Sequence, residues 1–195
     1  MEIGDKIISN ISGPVVCYYL KPDKKIFKNL LSVMKEEKQV DVSQQKEIEA
    51  LKALCKIWKC EYTYIGGDVF SRIDGIFTRD NVIKAIFDVK VRKQSLSWYE
   101  DYKSVMINFN KIQVASEVSR LLKVKFFHIV QTSDGHLLVL EITKEDGTIV
   151  CPMNIRYSEV KGLKKGETGK QTAIAYIPLE NNDYLSKYKI KGIGG

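Results

Sequence analysis

Histidine is nearly missing from this 195-residue chain: His128 and His136 are the only two. His128 lies inside the apolar run KFFHIVQT and His136 beside the turn SDGH, and neither has a partner at ligand spacing. Histidine-based metal sites and Ser-His hydrolase machinery are therefore disfavoured. Cysteine is sparse too. Cys17, Cys55, Cys60 and Cys151 are scattered without a CxxC spacing or a nearby histidine, which disfavours a zinc site. Cys55 reads as a packed residue on a helix face. Scattered thiols in a lysine-rich chain point to a reduced, intracellular protein in the cytoplasm of the producing or host cell. No apolar run approaches the length of a membrane span. MEIGDKIISN lacks the basic-then-apolar order of a signal peptide. There is no internal repeat and no low-complexity segment. KGLKKGETGK invites a phosphate-loop reading but fails it: Lys164 stands where the first glycine belongs, and Gln171 follows the lysine. It reads instead as a basic loop able to follow a phosphate backbone.

What is present is a globular composition, 44% apolar and 28% charged, long enough for one domain over residues 1–195 with a substantial core. A net charge of +7 fits either a lysine-rich solvated surface or a polyanion partner. PVVCYYL (14–20) reads as a strand, and KKIFKNLLSVMKEE (24–37) has helical spacing. SQQKEIEALKALCKIWK is a stronger helix, with Ser43 as N-cap, an acidic first turn, and a stripe of Ile48, Leu51, Leu54, Cys55 and Trp58. EYTYIG alternates as a short strand, and residues 71–93 form two strands around TRDN. SLSWYEDYKSVMINF is ambiguous. From about Lys111, KIQVASEVSRLL is helical, with Ile112, Ala115, Val118 and Leu122 on one side. KFFHIVQT and LLVLEI are strands joined by SDGH, EDG turns before TIVC, and TAIAYIPL is a last strand before a GIGG tail. Strands mixed with two main helices imply an α/β or α+β sandwich around a mixed sheet.

The hairpin carries the chemistry. Its odd positions, Ile73, Gly75 and Phe77 on one strand and Ile83, Ala85, Phe87, Val89 and Val91 on the other, are core residues. Its even positions include Asp74, Asp88, Lys90 and Arg92, which share a face only if paired residue numbers have an even sum. A plain two-residue turn at Asp80-Asn81 gives an odd sum. The pattern therefore demands an odd-length loop or a bulge. Two close carboxylates repel each other and raise each other's pKa. A divalent cation relieves this, and Mg²⁺ is typically held by one or two carboxylates plus waters and phosphate oxygens. A lysine on the same face can orient or deprotonate a water, or stabilise developing negative charge. The competing interpretation is a solvated sheet face on which Asp74 and Asp88 pair with Arg72, Lys90 and Arg92.

RID followed across a hairpin by FDVK resembles the PD-(D/E)xK nuclease superfamily, and more closely its small viral resolvase-like members. Trp58, DVKVRK, NKIQVASEVSRLL and VQTSDGHLLVL carry that closer likeness, which covers about residues 43–142. Ile73 replaces the usual proline before the first aspartate. The resemblance implies a restriction-endonuclease-like core with order α-β-β-β-α-β and a central mixed sheet flanked by helices. Residues 1–42 would be an N-terminal extension and 143–195 a β-rich C-terminal one. It implies a Mg²⁺-dependent deoxyribonuclease, with Mn²⁺ as a substitute, acting on DNA as an endonuclease or junction resolvase and sometimes working as a homodimer. Asp74 and Asp88 would bind metal and Lys90 would act on the water. A helix glutamate often joins them. Glu47 lies on the buried stripe and Glu49 on the solvated side, so Glu47 is the outer or third ligand expected; otherwise it is a partly exposed acid favoured by the helix dipole. Lys111 and Gln113, at the start of the second main helix, would face the metal site, and Arg92, Lys93 and Lys111 would contact phosphates. For each, an ordinary surface cation is the plainer alternative. Trp98, Tyr99 and Tyr102 would either stack on bases or pack in the core. The other function class is a catalytically degenerate module of the same fold that binds DNA or protein.

Overall fold

The computed structural model describes residues 42–65, 73–160, 170–180 and 183–190. The strand expected at 14–20, the helix at 24–37, Cys17, Arg72, residues 161–169 of the basic loop and the 191–195 tail lie outside them. Contacts divide the chain between Gln39 and Val40, and every described residue belongs to the second unit.

The first described helix, α1 (Val42–Trp58), starts at Val42, so Ser43 lies within it rather than capping it, and its first turn holds no acid. Glu47 and Glu49 come a turn later. Of the expected apolar stripe Leu51, Leu54 and Cys55 are buried, beside Ala50, and Ile48 and Trp58 are half-buried. Lys59 takes a left-handed conformation and the Cys60 N–H donates to the Cys55 carbonyl, which ends the helix. β1 (Glu61–Tyr64), β2 (Gly75–Arg79) and β3 (Val82–Val91) follow. The ambiguous stretch resolves into α2 (Leu96–Tyr102), capped by Ser95, and β4 (Ser104–Asn108). α3 (Phe109–Leu122) starts two residues before Lys111, with the Asn108 side chain accepting from the Asn110 N–H. β5 (Lys125–Gln131) and β6 (His136–Thr143) form the expected hairpin. TAIAYIPL is not the last strand. It belongs to β8 (Lys170–Pro178), which pairs with β7 (Asn154–Val160), and β9 (Leu185–Lys189) follows. The lysines of β9 hide its alternation, but pairing with β6 at the sheet edge needs only backbone groups.

Among the described residues the main sheet has six strands in the order β1-β2-β3-β5-β6-β9 and is mixed: β3 and β5 run parallel and every other neighbouring pair antiparallel. A second, antiparallel sheet has the order β4-β8-β7. α1 covers one face of the main sheet, where Leu51 and Leu54 pack with Phe77, Phe87, Val89 and Ile129. α3 covers the other, with Ile112, Ala115 and Val118 meeting Ile76, Ile86, Phe126 and Val130 beside Val105, Ile107 and Ile177 of the small sheet. On the even face of the hairpin Asp74, Ile76, Ile86 and Asp88 are therefore buried in a second core, while Val82, Lys84 and Arg92 stay exposed. No described helix is long and apolar enough to cross a membrane.

The hairpin meets the register condition by a bulge. Asp80 and Asn81 form a two-residue turn with positive φ of 54° and 59°, and Thr78 pairs with Ile83 in the odd-sum register. The register then shifts between Phe77 and Thr78, leaving Lys84 as the extra residue. Beyond the shift Phe77 faces Ala85 and Gly75 faces Phe87, an even sum that brings Asp74 level with Asp88. Gly75 is required by packing: a Cβ there would lie 2.3 Å from the Thr63 carbonyl oxygen and 2.4 Å from Phe87 Cζ.

Candidate active site

The site forms where the second half of β3 meets the first turn of α3. Asp74, just before β2, is fixed by its backbone, whose N–H donates to the Phe87 carbonyl, and by its side chain, whose Oδ2 accepts from the Val89 N–H at 3.0 Å. Asp88 is 1% exposed and Asp74 5%. Unpaired carboxylates at such depth would be costly. Two lysines supply the counter-charge. Lys90 Nζ lies 3.0 Å from Asp74 Oδ2, 3.5 Å from Asp88 Oδ1 and 4.0 Å from Glu47 Oε1. Lys111 Nζ lies 3.3 Å from Asp74 Oδ1 and also contacts Asp88 Oδ1.

Glu47 is the helix carboxylate that reaches this cluster. It is buried, while Glu49 is exposed. Its Oε2 accepts from the Tyr64 hydroxyl at 2.5 Å, a contact the sequence did not announce. Glu47 thus sits at the rim, nearest to Lys90. Among the described residues no three His, Cys, Asp or Glu side chains are gathered closely enough to hold a metal by themselves.

The electrostatics divide the two aspartates. Burial and the neighbouring Asp88 push the Asp74 carboxyl up, and Lys90, Lys111 and the Val89 N–H only partly offset this. Burial also opposes charge on Asp88, but His128, Lys90 and Lys111 together overcome it and hold its carboxyl below the ordinary range. For Glu47 burial dominates and raises the carboxyl, against the Tyr64 hydrogen bond and Lys90. Burial works against the Lys90 ammonium, yet Asp88, Asp74 and Glu47 more than compensate and raise its pKa.

A divalent cation suits this donor set. One ammonium, Lys111 Nζ, contacts an oxygen from each aspartate, so both oxygens converge on the space a single cation takes. Two carboxylates completed by water and phosphate oxygens are a sufficient magnesium shell. Asp74 and Asp88 would hold it, with Glu47 in the outer position.

The other sequence candidates separate. Lys111 points into the carboxylates. Gln113, two residues on and about 200° around the helix, is exposed. Arg92 and Lys93 are exposed just beyond Lys90. Tyr99 is core, while Trp98 and Tyr102 stack on each other at 4.7 Å, partly exposed. A concavity of about 410 Å³ lined by Lys52, Cys55, Lys56, Cys60, Glu61 and Tyr62 shares no residue with the carboxylate cluster.

His128 is what sequence reasoning missed. By sequence it is a lone histidine in an apolar strand. Parallel pairing of β3 with β5 puts it opposite Asp88, with Nδ1 2.8 Å from Asp88 Oδ2. No local pattern marks this, because the two positions become neighbours only through strand order.

Residues 34–180 match the model of a family described as "Phage putative PDDEXK endonuclease". No curated protein and no solved structure matches the chain.

Proposed function

The chain belongs to this phage PDDEXK endonuclease family, and from that premise we propose that it is a metal-dependent deoxyribonuclease hydrolysing phosphodiester bonds. The observation that carries the reading is the bulged hairpin, which brings Asp74, Asp88 and Lys90 onto one buried face beside Lys111. Folding alone offers little reason to bury two adjacent carboxylates, since apolar residues of similar volume would do as well or better.

In this reading Asp74 and Asp88 hold Mg²⁺, or Mn²⁺ in its place, which when bound polarises the scissile phosphate and lowers the pKa of a bound water. Lys90 stays an ammonium, because three carboxylates favour its charged form. Its role is to orient the attacking water and stabilise negative charge developing on the phosphate, rather than to take a proton. Glu47 faces Lys90 from the rim and holds its position. Lys111 neutralises the aspartates when no cation is bound and is free to turn to a phosphate oxygen when one is. Arg92 and Lys93 continue the positive edge from Lys90 and contact the DNA backbone, consistent with a net charge of +7. The same reading includes a structure-specific or junction-resolving activity on DNA and a homodimer, both carried by the family resemblance alone.

A catalytically silent binding module is the other reading. Loss of an aspartate or of the lysine would mark it, and all three are in place. The deciding experiment is cleavage of plasmid, single-stranded and branched DNA with Mg²⁺ or Mn²⁺, comparing wild type with Asp88→Ala. Cleavage that disappears in the variant and in chelator is expected. Wild type and variant behaving alike would overturn the enzyme reading.

A further inference from the structure

We propose that His128 is a positioning residue for Asp88, holding one carboxylate oxygen so that the other is presented to the cation. This rests on the nuclease reading above. His128 is fully buried, and its neighbours on the same strand face, Phe126 and Val130, are apolar core. An imidazole in such a place is costly unless it has a partner. Among the described residues the polar group it contacts is Asp88 Oδ2, 2.8 Å from Nδ1. The approach is bent, so it falls short of a linear hydrogen bond, and Nε2 has no partner among the described residues.

The two oxygens of Asp88 are therefore used differently. Oδ1 faces the ammonium groups of Lys90 and Lys111, on the side open to substrate. Oδ2 is sealed from solvent and turned toward the imidazole. A proton on Nδ1 offers Oδ2 a donor. The other tautomer would set a lone pair against the carboxylate and bury an N–H without an acceptor, the costlier arrangement. With Oδ2 held this way the carboxylate resists rotation about its terminal torsion, and Oδ1 stays aimed at the cation. Partners of ligating carboxylates typically change metal affinity 10- to 100-fold when removed.

The test is Mn²⁺ binding by calorimetry and by electron paramagnetic resonance, without DNA, on wild type, His128→Leu, His128→Asn and Asp88→Asn, with thermal melts of each in chelator. His128→Leu should bind Mn²⁺ about 10- to 100-fold more weakly and melt lower than wild type in chelator, because Oδ2 is left buried without a donor. His128→Asn, whose amide N–H reaches toward Oδ2, should recover most of the affinity. A purely structural histidine would lower the melt of both variants and leave the Mn²⁺ affinity of the folded protein unchanged. Mn²⁺ affinity of His128→Leu equal to wild type overturns the proposal, and so does an asparagine variant as weak as the leucine one; if the leucine variant does not fold, the asparagine variant decides, and a loss of its affinity by about 10-fold or more overturns the proposal. If Asp88→Asn binds as wild type does, or wild type binds no Mn²⁺, the nuclease reading itself falls and the His128 role falls with it.

Discussion

Replacing Lys111 with methionine should destabilise the protein only while no divalent cation is present. The Lys111 ammonium is 3.3 Å from Asp74 Oδ1 and in contact with Asp88 Oδ1, and its side chain is 17% exposed. At an effective dielectric of about 20, charges at that separation attract by roughly 5 kcal/mol before desolvation is charged against them. Breaking a buried pair typically costs about 3–5 kcal/mol. The loss here should be smaller, because Lys90 remains 3.0 Å from Asp74 and 3.5 Å from Asp88 and because Lys111 is only partly buried. A net loss of about 2 kcal/mol follows, which for a domain of this size lowers Tm by roughly 4–8 °C. The sign reverses for the cation. Lys111 competes with it for the same two oxygens, so the variant should bind Mn²⁺ more tightly, by up to about 30-fold if the whole 2 kcal/mol is recovered. Melts of wild type and Lys111→Met in chelator and at rising Mn²⁺ check this, and the gap in Tm should close as the cation saturates. A gap that stays constant, or weaker Mn²⁺ binding by the variant, would refute the view that Lys111 and the cation share one place.

Three more predictions test other parts of the molecule. Gly75→Ala would drive a Cβ to 2.3 Å from the Thr63 carbonyl oxygen, so the β1–β2–β3 packing must shift, at a cost of about 1–3 kcal/mol or more by chemical denaturation; an unchanged midpoint would contradict the packing described. Arg92→Gln and Lys93→Gln should each weaken DNA binding uniformly across sequences and lower the slope of log K against log salt by about 1, as read by fluorescence anisotropy; an unchanged slope removes that residue from the interface. Asp134 is held at about 2, chiefly by the Thr132 hydroxyl, against slight burial and with help from the Leu96 N–H and His136. Its folded-state pKa lies below the ordinary 3.8, so its contribution is complete above that value and is lost as pH falls through about 2. Asp134→Ala should flatten the acid limb of the stability curve in that window and leave the neutral region nearly parallel to wild type.

How much was legible differs from element to element. α1 and α3 could be read because their apolar stripes repeat at helical period over several turns. The span that became α2 and β4 could not, because Tyr99 alone of the seven α2 residues is buried and β4 has five residues. β7 and β9 were missed because they lie at sheet edges and carry polar residues on both faces. Glu47 was separable from Glu49 by helical position, whereas its hydrogen bond from Tyr64 depends on where β1 ends.

By itself the sequence determined the alternation of the hairpin, the sharing of one parity by Asp74, Asp88 and Lys90, and the need for an extra residue if they were to meet. Strand parity is local and survives any arrangement of the rest of the chain. Tertiary structure alone decided how that need was met: a two-residue turn at Asp80-Asn81 with a bulge at Lys84, not a longer loop. It also decided that α3 and the small sheet bury the acidic face, that Lys111 reaches between the aspartates, and that His128 backs Asp88. Those outcomes depend on strand order and on the parallel register of β3 with β5, which brings together residues 40 positions apart with no periodic signal between them.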